Sequence, residues 1–322
     1  MKLLTLLFLS TLIFASDILT NYRINGINKI EKQMDLELSK QEYWSKFLKN
    51  KDTSFGYIEA YKNILTCNKE NSTLNLYSID KDKKFKFRKK YNAFTGEKDG
   101  DKEIEGDKKT PIGIYNIVKK LSKETNLNEF YGPLAFVTSY PNIYDKYKGK
   151  GGHGIWVHGF PIKEERDEFT RGCIAINNQS IECLNKHIDI QKTLLIINSQ
   201  ELQKEVDKDT LSSILAQLYA WRYSWLYNDI QSYLNFYSNN FRRDDGMDFK
   251  SFKSYKTRVF KKIEKKSIIF KNINVIPYPH TKNTFEITFK EYYKSDTFSF
   301  TGDKTLIVNI DTDKKIKIIT EK

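Results

Sequence analysis

A histidine and a cysteine fifteen residues apart are the side chains of this sequence best suited to covalent chemistry: His158 in GGHGIWVHGFP and Cys173 in TRGCIAIN. A thiol must become a thiolate before it attacks a carbonyl, and an imidazole is the natural proton acceptor near neutral pH. Cys173 follows Gly172 and precedes the apolar run Ile174 to Ile176, which places it on a turn at the mouth of a strand. Gly159 and Gly172 would let backbone N–H groups approach a reacting carbonyl, as an oxyanion hole requires. On spacing alone, a buried apolar thiol and a satisfied core imidazole are the plainer account. His153 lies five residues before His158, an odd interval that puts the two on opposite faces of a regular strand unless a bulge at Gly154 intervenes. A zinc site from these histidines and Cys173 matches no standard ligand spacing, and with 4 His in the chain no metal or cofactor is expected. His187 and His280 stand in polar surroundings and read as surface residues.

The elements that would position the pair belong to a β-rich stretch, residues 51–200. TLNLYSID and KFKFRKKYNAFTG alternate with period two, with Leu74 and Leu76, then Phe85 and Phe87, on one face each. IGIYNIVK, LAFVTSYP, GIWVHGF, GCIAIN and TLLIIN read as further strands, and the charged segment 97–110 as a solvated loop. Residues 17–50 predict a polar helical arm, with Ile27, Ile30, Met34, Leu36 and Leu38 as its apolar positions. After residue 200 the period changes to 3.6, with Leu211, Ile214, Leu215, Leu218, Trp221, Trp225 and Ile230 at helical spacing. A second helix over roughly 248–265 and strand-like runs to the end give an α+β pattern for residues 205–322, and the charged stretch Gln200 to Asp209 fits a linker. The aromatics of the first helix, Tyr219 to Tyr227, read as core before they read as a stacking surface for sugar rings.

Residues 1–16, MKLLTLLFLSTLIFAS, have the pattern of a secretory leader: Lys2, then about a dozen apolar residues, too few to span a bilayer, then small residues. An exported protein without a membrane span after cleavage is therefore expected. The 322 residues suit about two domains. With 20 Tyr, 21 Phe and 4 Trp they are not a disordered chain, and 3 Cys are too few for a disulfide framework. Cys67 and Cys183 could pair in an oxidising compartment, although two buried thiols are the simpler reading. The net charge of +13 calls for an acidic partner; export and the lack of basic helices argue against nucleic acid.

The His-Gly, gap, Thr-x-Gly-Cys pattern resembles the signature of the L,D-transpeptidase (YkuD-type) catalytic domain. Thr110, Pro111, Gly113 and Tyr115 match the Thr-Pro-x-Gly-x-Tyr of that family's early strand, and YGPLAFVTSYPN is similar to the segment that follows. The resemblance implies a β-sandwich-like domain with Cys173 as nucleophile, His158 as general base and Gly159 as a backbone contributor to the oxyanion site. Thr170, Arg171 and Gly172 fill the motif positions before the thiol. Two positions depart from the pattern: Arg171 stands where a histidine is frequent, and Ala175 where an arginine is frequent. Arg171 would still suit a substrate carboxylate.

The whole mature chain is similar to the cell-shape-determining murein L,D-carboxypeptidases of helical Gram-negative bacteria, with residues 208–322 resembling the nuclear transport factor 2-like cone. That resemblance implies a periplasmic hydrolase of peptidoglycan tetrapeptide stems, cutting between meso-diaminopimelate and the terminal D-Ala. A transpeptidase of the same fold and a non-catalytic wall-binding protein are the competing classes, and the arm could serve a homodimer.

Overall fold

The computed structural model describes residues 2–163, 167–200 and 205–322, with side chains from residue 18 onward. The side chains of the expected leader, and residues 201–204 of the expected linker, lie outside the described residues. Helix α1 (Lys2–Leu38) is broken at Gly26, whose φ of 73° is not helical, and α2 (Gln41–Leu48) follows. Most of the arm's apolar positions are in the open: Ile27, Met34 and Leu36 are exposed, and only Ile30 of that set is buried. The arm is pinned by a polar contact instead. Asp35 accepts from Arg222 Nη1 at 2.7 Å and from Tyr227 OH at 3.0 Å. Trp44 and Leu48 of α2 then enter the core of the C-terminal domain.

Strand β1 (Tyr57–Ile58) does not join the β-rich domain around it in sequence, but pairs antiparallel with Val275 and Asn274. The β-rich domain itself comprises β2 (Asn63–Asn68), β3 (Thr73–Ile79), β4 (Phe85–Phe94), β5 (Gly113–Ser122), β6 (Leu134–Thr138), α3 (Ile143–Tyr147), β7 (Trp156–His158), β8 (Ile174–Ile176), α4 (Asn178–His187) and β9 (Thr193–Asn198). The two layers of the expected sandwich share β4 and β5, so the strands close into a ring of order β2-β3-β4-β8-β7-β6-β5-β9. Alternation decides what fills it: Leu65, Cys67, Leu74, Leu76, Tyr91, Ala93, Val157, Ile174 and Ile176 form the interior. Phe87 follows the alternation out to solvent and is 56% exposed.

The C-terminal domain runs α5 (Lys208–Leu226), α6 (Ile230–Asn235), α7 (Phe249–Phe260), β10 (Lys266–Pro277), β11 (Thr284–Ser295), β12 (Ser299–Ile310) and β13 (Ile316–Glu321). Its five-stranded antiparallel sheet, β1-β10-β11-β12-β13, curls around α5. Trp221 is buried and stacks near Tyr233 and Phe270, so this part of the aromatic helix is core. A third cluster joins the domains: Ile64, Ile114, Leu194 and Ile196 on the outer face of the ring pack against Ile276, Tyr278, Ile307 and Ile319. The two domains are therefore joined by an apolar cluster at their seam as well as by a linker. No helix among the described residues is long and apolar enough to cross a membrane.

Candidate active site

The short strands β7 and β8 lie parallel, with Val157 opposite Ile174 and His158 opposite Ala175. Val157, Ile174 and Ile176 point into the ring. Trp156, His158 and Ala175 therefore face outward, and Cys173, the residue before β8, continues their row. Cys173 and His158 thus share the outer face of adjacent strands, two residues apart in register.

The turn that delivers the thiol is tightly specified. Gly172 has φ of 128°, and a Cβ there would lie 2.8 Å from Lys109 O, so glycine is required twice over. Thr170 is buried and strapped to a neighbouring segment, its N–H donating to Thr95 O at 2.7 Å and its carbonyl accepting from Glu97 N at 3.0 Å. Its hydroxyl donates to Cys173 O at 2.7 Å and accepts from Gly172 N at 2.9 Å. Thr110 of the early-strand motif supports the strap from behind, accepting from Gly96 N at 2.8 Å. Cys173 is half-buried, and its thiol donates to Gly154 O at 3.3 Å.

His158 is 2% exposed. Its Nδ1 lies 2.6 Å from Gly159 O. A carbonyl only accepts, so Nδ1 carries the proton and Nε2 keeps its lone pair, the tautomer a base needs. The ring of Tyr131 meets the imidazole edge to face at 5.1 Å and also packs on Trp156 at 4.8 Å. Burial raises the pKa of the Tyr131 phenol, and the nearby Cys173 raises it further while Arg171 opposes, so all three side chains share one field.

Gly159 and Gly172 do not offer their amides to a ligand in this conformation. Gly159 N donates to Tyr131 O at 3.0 Å and Leu134 O at 3.1 Å, and Gly172 N is held by Thr170. Gly159 is needed for space: a Cβ there would stand 2.5 Å from Asn178 Oδ1, which accepts from Phe160 N at 2.7 Å. Arg171 is exposed beside the thiol turn. The ring of His153 is 77% exposed and lies 3.7 Å from Glu105. Tyr131, Trp156 and Asn178 complete the site without having been singled out in the sequence, and Gly154, read there as a bulge position, supplies the carbonyl that receives the thiol. Tyr131 and Trp156 at least belong to the quoted motif segments, whereas Asn178 lies one residue past TRGCIAIN.

The loop 97–110 is less solvated than its composition suggests. Lys102 is buried in an ion pair of 2.7 Å with Asp107, which also accepts from the amides of Glu103, Ile104 and Lys109. Burial alone would raise the Asp107 carboxyl, but these donors outweigh it and hold it far below the usual range. Cys67 lies inside the ring, and burial pushes its thiol up to about 12. Cys183 sits on α4 and accepts from Lys89 Nζ at 3.2 Å, so the two cysteines are separate thiols. His187 donates to Cys183 O at 2.7 Å, and His280 bonds Ser199, both at the surface. Among the described residues no three His, Cys, Asp or Glu side chains converge as metal ligands.

Residues 62–197 match the family model of the L,D-transpeptidase catalytic domain, and residues 213–322 that of the Cds6 C-terminal NTF2-like domain. The crystal structure of the helical cell shape determining protein Pgp2 from Campylobacter jejuni is similar over 88% of this chain and 99% of its own, at 37% identity and a TM-score of 0.79. The structure of a point mutant of the same protein is similar over 89% of this chain and 99% of its own, at 37% identity and a TM-score of 0.81. The chain belongs to the Pgp2 family. A second family structure, Bd1075 of Bdellovibrio bacteriovorus, covers 84% of this chain and 96% of its own, at 26% identity and a TM-score of 0.67. No curated protein sequence matches the chain. The Pgp2-family architecture thus places Cys173 and His158 in a catalytic domain whose relatives are cysteine-dependent enzymes acting on peptidoglycan.

Proposed function

We propose that this protein is a periplasmic L,D-carboxypeptidase that removes the terminal D-Ala from peptidoglycan tetrapeptide stems and contributes to cell shape. The observation that carries the reading is the placement of Cys173 and His158 on one outer face, with the imidazole locked as the Nε2 base by Gly159 O. The Cys173 thiol gives its proton to His158 Nε2, and Sγ attacks the carbonyl carbon of meso-diaminopimelate. The carbonyl oxygen takes the negative charge. The backbone of the thiol turn would stabilise that charge. As the tetrahedral centre collapses, the C–N bond breaks and His158 delivers its proton to the departing D-Ala amine. Water then attacks the thioester, again losing a proton to Nε2, and frees a tripeptide stem. Arg171 is suited to the terminal carboxylate of D-Ala, since a guanidinium pairs with a carboxylate through two parallel hydrogen bonds.

The test is digestion of purified muropeptides. The wild-type protein releases free D-Ala and tripeptide, and Cys173→Ala leaves the tetrapeptide intact. Cross-linked dimers as the main product would make the enzyme a transpeptidase. Trimming by the Cys173→Ala protein, or an unchanged substrate pool with the wild type, sinks the assignment.

A further inference from the structure

The carbonyl that receives the Cys173 thiol belongs to the poorest self-supporting segment near the site. Residues 149–154 read Gly-Lys-Gly-Gly-His-Gly, and Gly149, Gly152 and Gly154 all have positive φ. A Cβ added at Gly149, Gly151 or Gly154 would meet nothing within 4 Å, so the loop is not shaped by packing around these glycines. Four glycines in six residues also leave the backbone little conformational restraint of its own.

Backbone bonds hold the loop's first residues, Lys150 N to Asp145 O at 2.9 Å and Gly151 N to Glu103 O at 2.8 Å, and the Lys150 side chain adds the charged restraint. Its ammonium is nearly buried and lies 2.5 Å from Asp101 Oδ2 and 3.0 Å from Asp145 Oδ1. Asp145 is fully buried and accepts besides from Tyr115 OH at 3.0 Å and Asn142 N at 3.1 Å. Asp101 accepts from Ile112 N at 2.8 Å, within the early-strand motif. Asn142 donates to Tyr278 OH at 2.9 Å, and Tyr278 is a buried residue of the C-terminal domain. Beyond Lys150, Tyr140 OH holds Gly151 O at 2.7 Å, and the Thr138 hydroxyl holds Ile155 O at 2.6 Å. Gly154 O, between these two anchors, receives the thiol.

We infer that Lys150 is a positioning residue for the nucleophile, clamping the glycine loop so that Gly154 O fixes the Cys173 side chain, and that Tyr278 makes the C-terminal domain part of the clamp. The inference rests on the reading of Cys173 as the nucleophile. Burial works against the charge on Lys150, yet its two carboxylates more than compensate and raise its pKa, so the clamp stays charged across the working range. A thiol that donates to a carbonyl is stabilised in its protonated form, so loss of the acceptor moves its titration toward acid.

The experiment compares Lys150→Met, Lys150→Arg, Tyr140→Phe and Tyr278→Phe in the full chain. Two readouts are taken: kcat and KM on tetrapeptide muropeptide, and the pH midpoint of iodoacetamide alkylation followed by mass on the Cys173 peptide. The titratable and charged groups facing the thiol are His158, Tyr131 and Arg171, and none of these variants alters them. Lys150→Met is expected to lower kcat at least tenfold with KM within twofold, and to move the alkylation midpoint toward acid. Lys150→Arg is expected to restore most of both, and Tyr140→Phe and Tyr278→Phe to give smaller shifts of the same sign. Folded Lys150→Met protein with unchanged kcat and midpoint overturns the inference. If Lys150→Met does not fold, unchanged values in both phenylalanine variants overturn it. The alkylation readout needs no substrate, so a wild-type protein inert toward muropeptides would refute the proposed reaction without touching this test.

Discussion

In the ring domain the buried lysines sit in loops, each against carboxylates: Lys102 with Asp107, and Lys150 with Asp101 and with Asp145 of α3. The strands enclose apolar and aromatic side chains and one thiol. In the C-terminal domain and its seam, the secondary-structure elements themselves carry the buried titratable groups. Lys256 of α7 is buried under aromatic faces, 4.6 Å from the Trp225 ring and 5.3 Å from that of Tyr233. Burial depresses its pKa to about 8. Glu321 of β13 accepts from Tyr237 OH at 2.8 Å and pairs with Lys304 at 3.2 Å. Glu286 of β11 is driven up to about 8, first by burial and then by the nearby Asp145. The ring keeps its chemistry on the outside of a close-packed core and uses its buried ions to aim loops. The C-terminal domain keeps charge inside, at a cost to its own stability.

The largest effect expected from this contrast is on packing. Trp221→Ala should destabilise the protein by about 3–5 kcal/mol, read as a lower midpoint in chemical unfolding. Because the seam couples the domains, a single transition is expected; a ring that melts independently at the wild-type midpoint would break the comparison. Gly172→Ala comes next. The forced φ costs about 1–3 kcal/mol, and displacement of the thiol turn against Lys109 O should lower kcat by at least ~100-fold, measured as D-Ala release.

The third effect is on pH. Glu286 holds a proton in the folded state that it loses when unfolded, so between its ordinary pKa of 4.5 and about 8 stability falls as pH rises. Lys256 behaves oppositely: between about 8 and its ordinary 10.5 the unfolded chain binds the extra proton, so stability climbs. Together they predict a stability minimum near pH 8, each limb no steeper than about 1.4 kcal/mol per pH unit. Glu286→Gln should flatten the acid-side limb and Lys256→Met the alkaline one in denaturation curves taken across pH. A profile without the dip would show that water reaches these groups. The smallest effect belongs to Thr110→Val, which strips the acceptor from Gly96 N and should cost about 1 kcal/mol with a several-fold loss of turnover.

The placement of Cys173 and His158 on one outer face was legible because motif residues and local geometry coincide: Gly172 needs its unusual φ, and Thr170 and Thr110 brace the turn around it. The alternation of Leu74 and Leu76 likewise carried straight into the ring core. What was not legible depends on contacts distant in sequence. Nothing in Tyr57–Ile58 says that it completes a sheet more than two hundred residues away. Lys102 and Lys150 look like solvated lysines until their carboxylates are brought to them by the fold. The amides of Gly159 and Gly172 looked available because sequence does not show that carbonyls of Tyr131 and Leu134 and the hydroxyl of Thr170 already occupy them. The arm's apolar residues suggested burial, and Asp35 turned out to be the anchor.

Closure of the ring has one more consequence. Each of its eight strands is hydrogen-bonded on both sides, from β2 against β9 round to β7 against β8. Beside Cys173, β7 lies between β6 and β8, and β8 between β7 and β4, so among the described residues no open edge is left there on which an extended peptide could be added as a further strand. A ligand held at this face is therefore read by side chains and loop carbonyls rather than by strand addition.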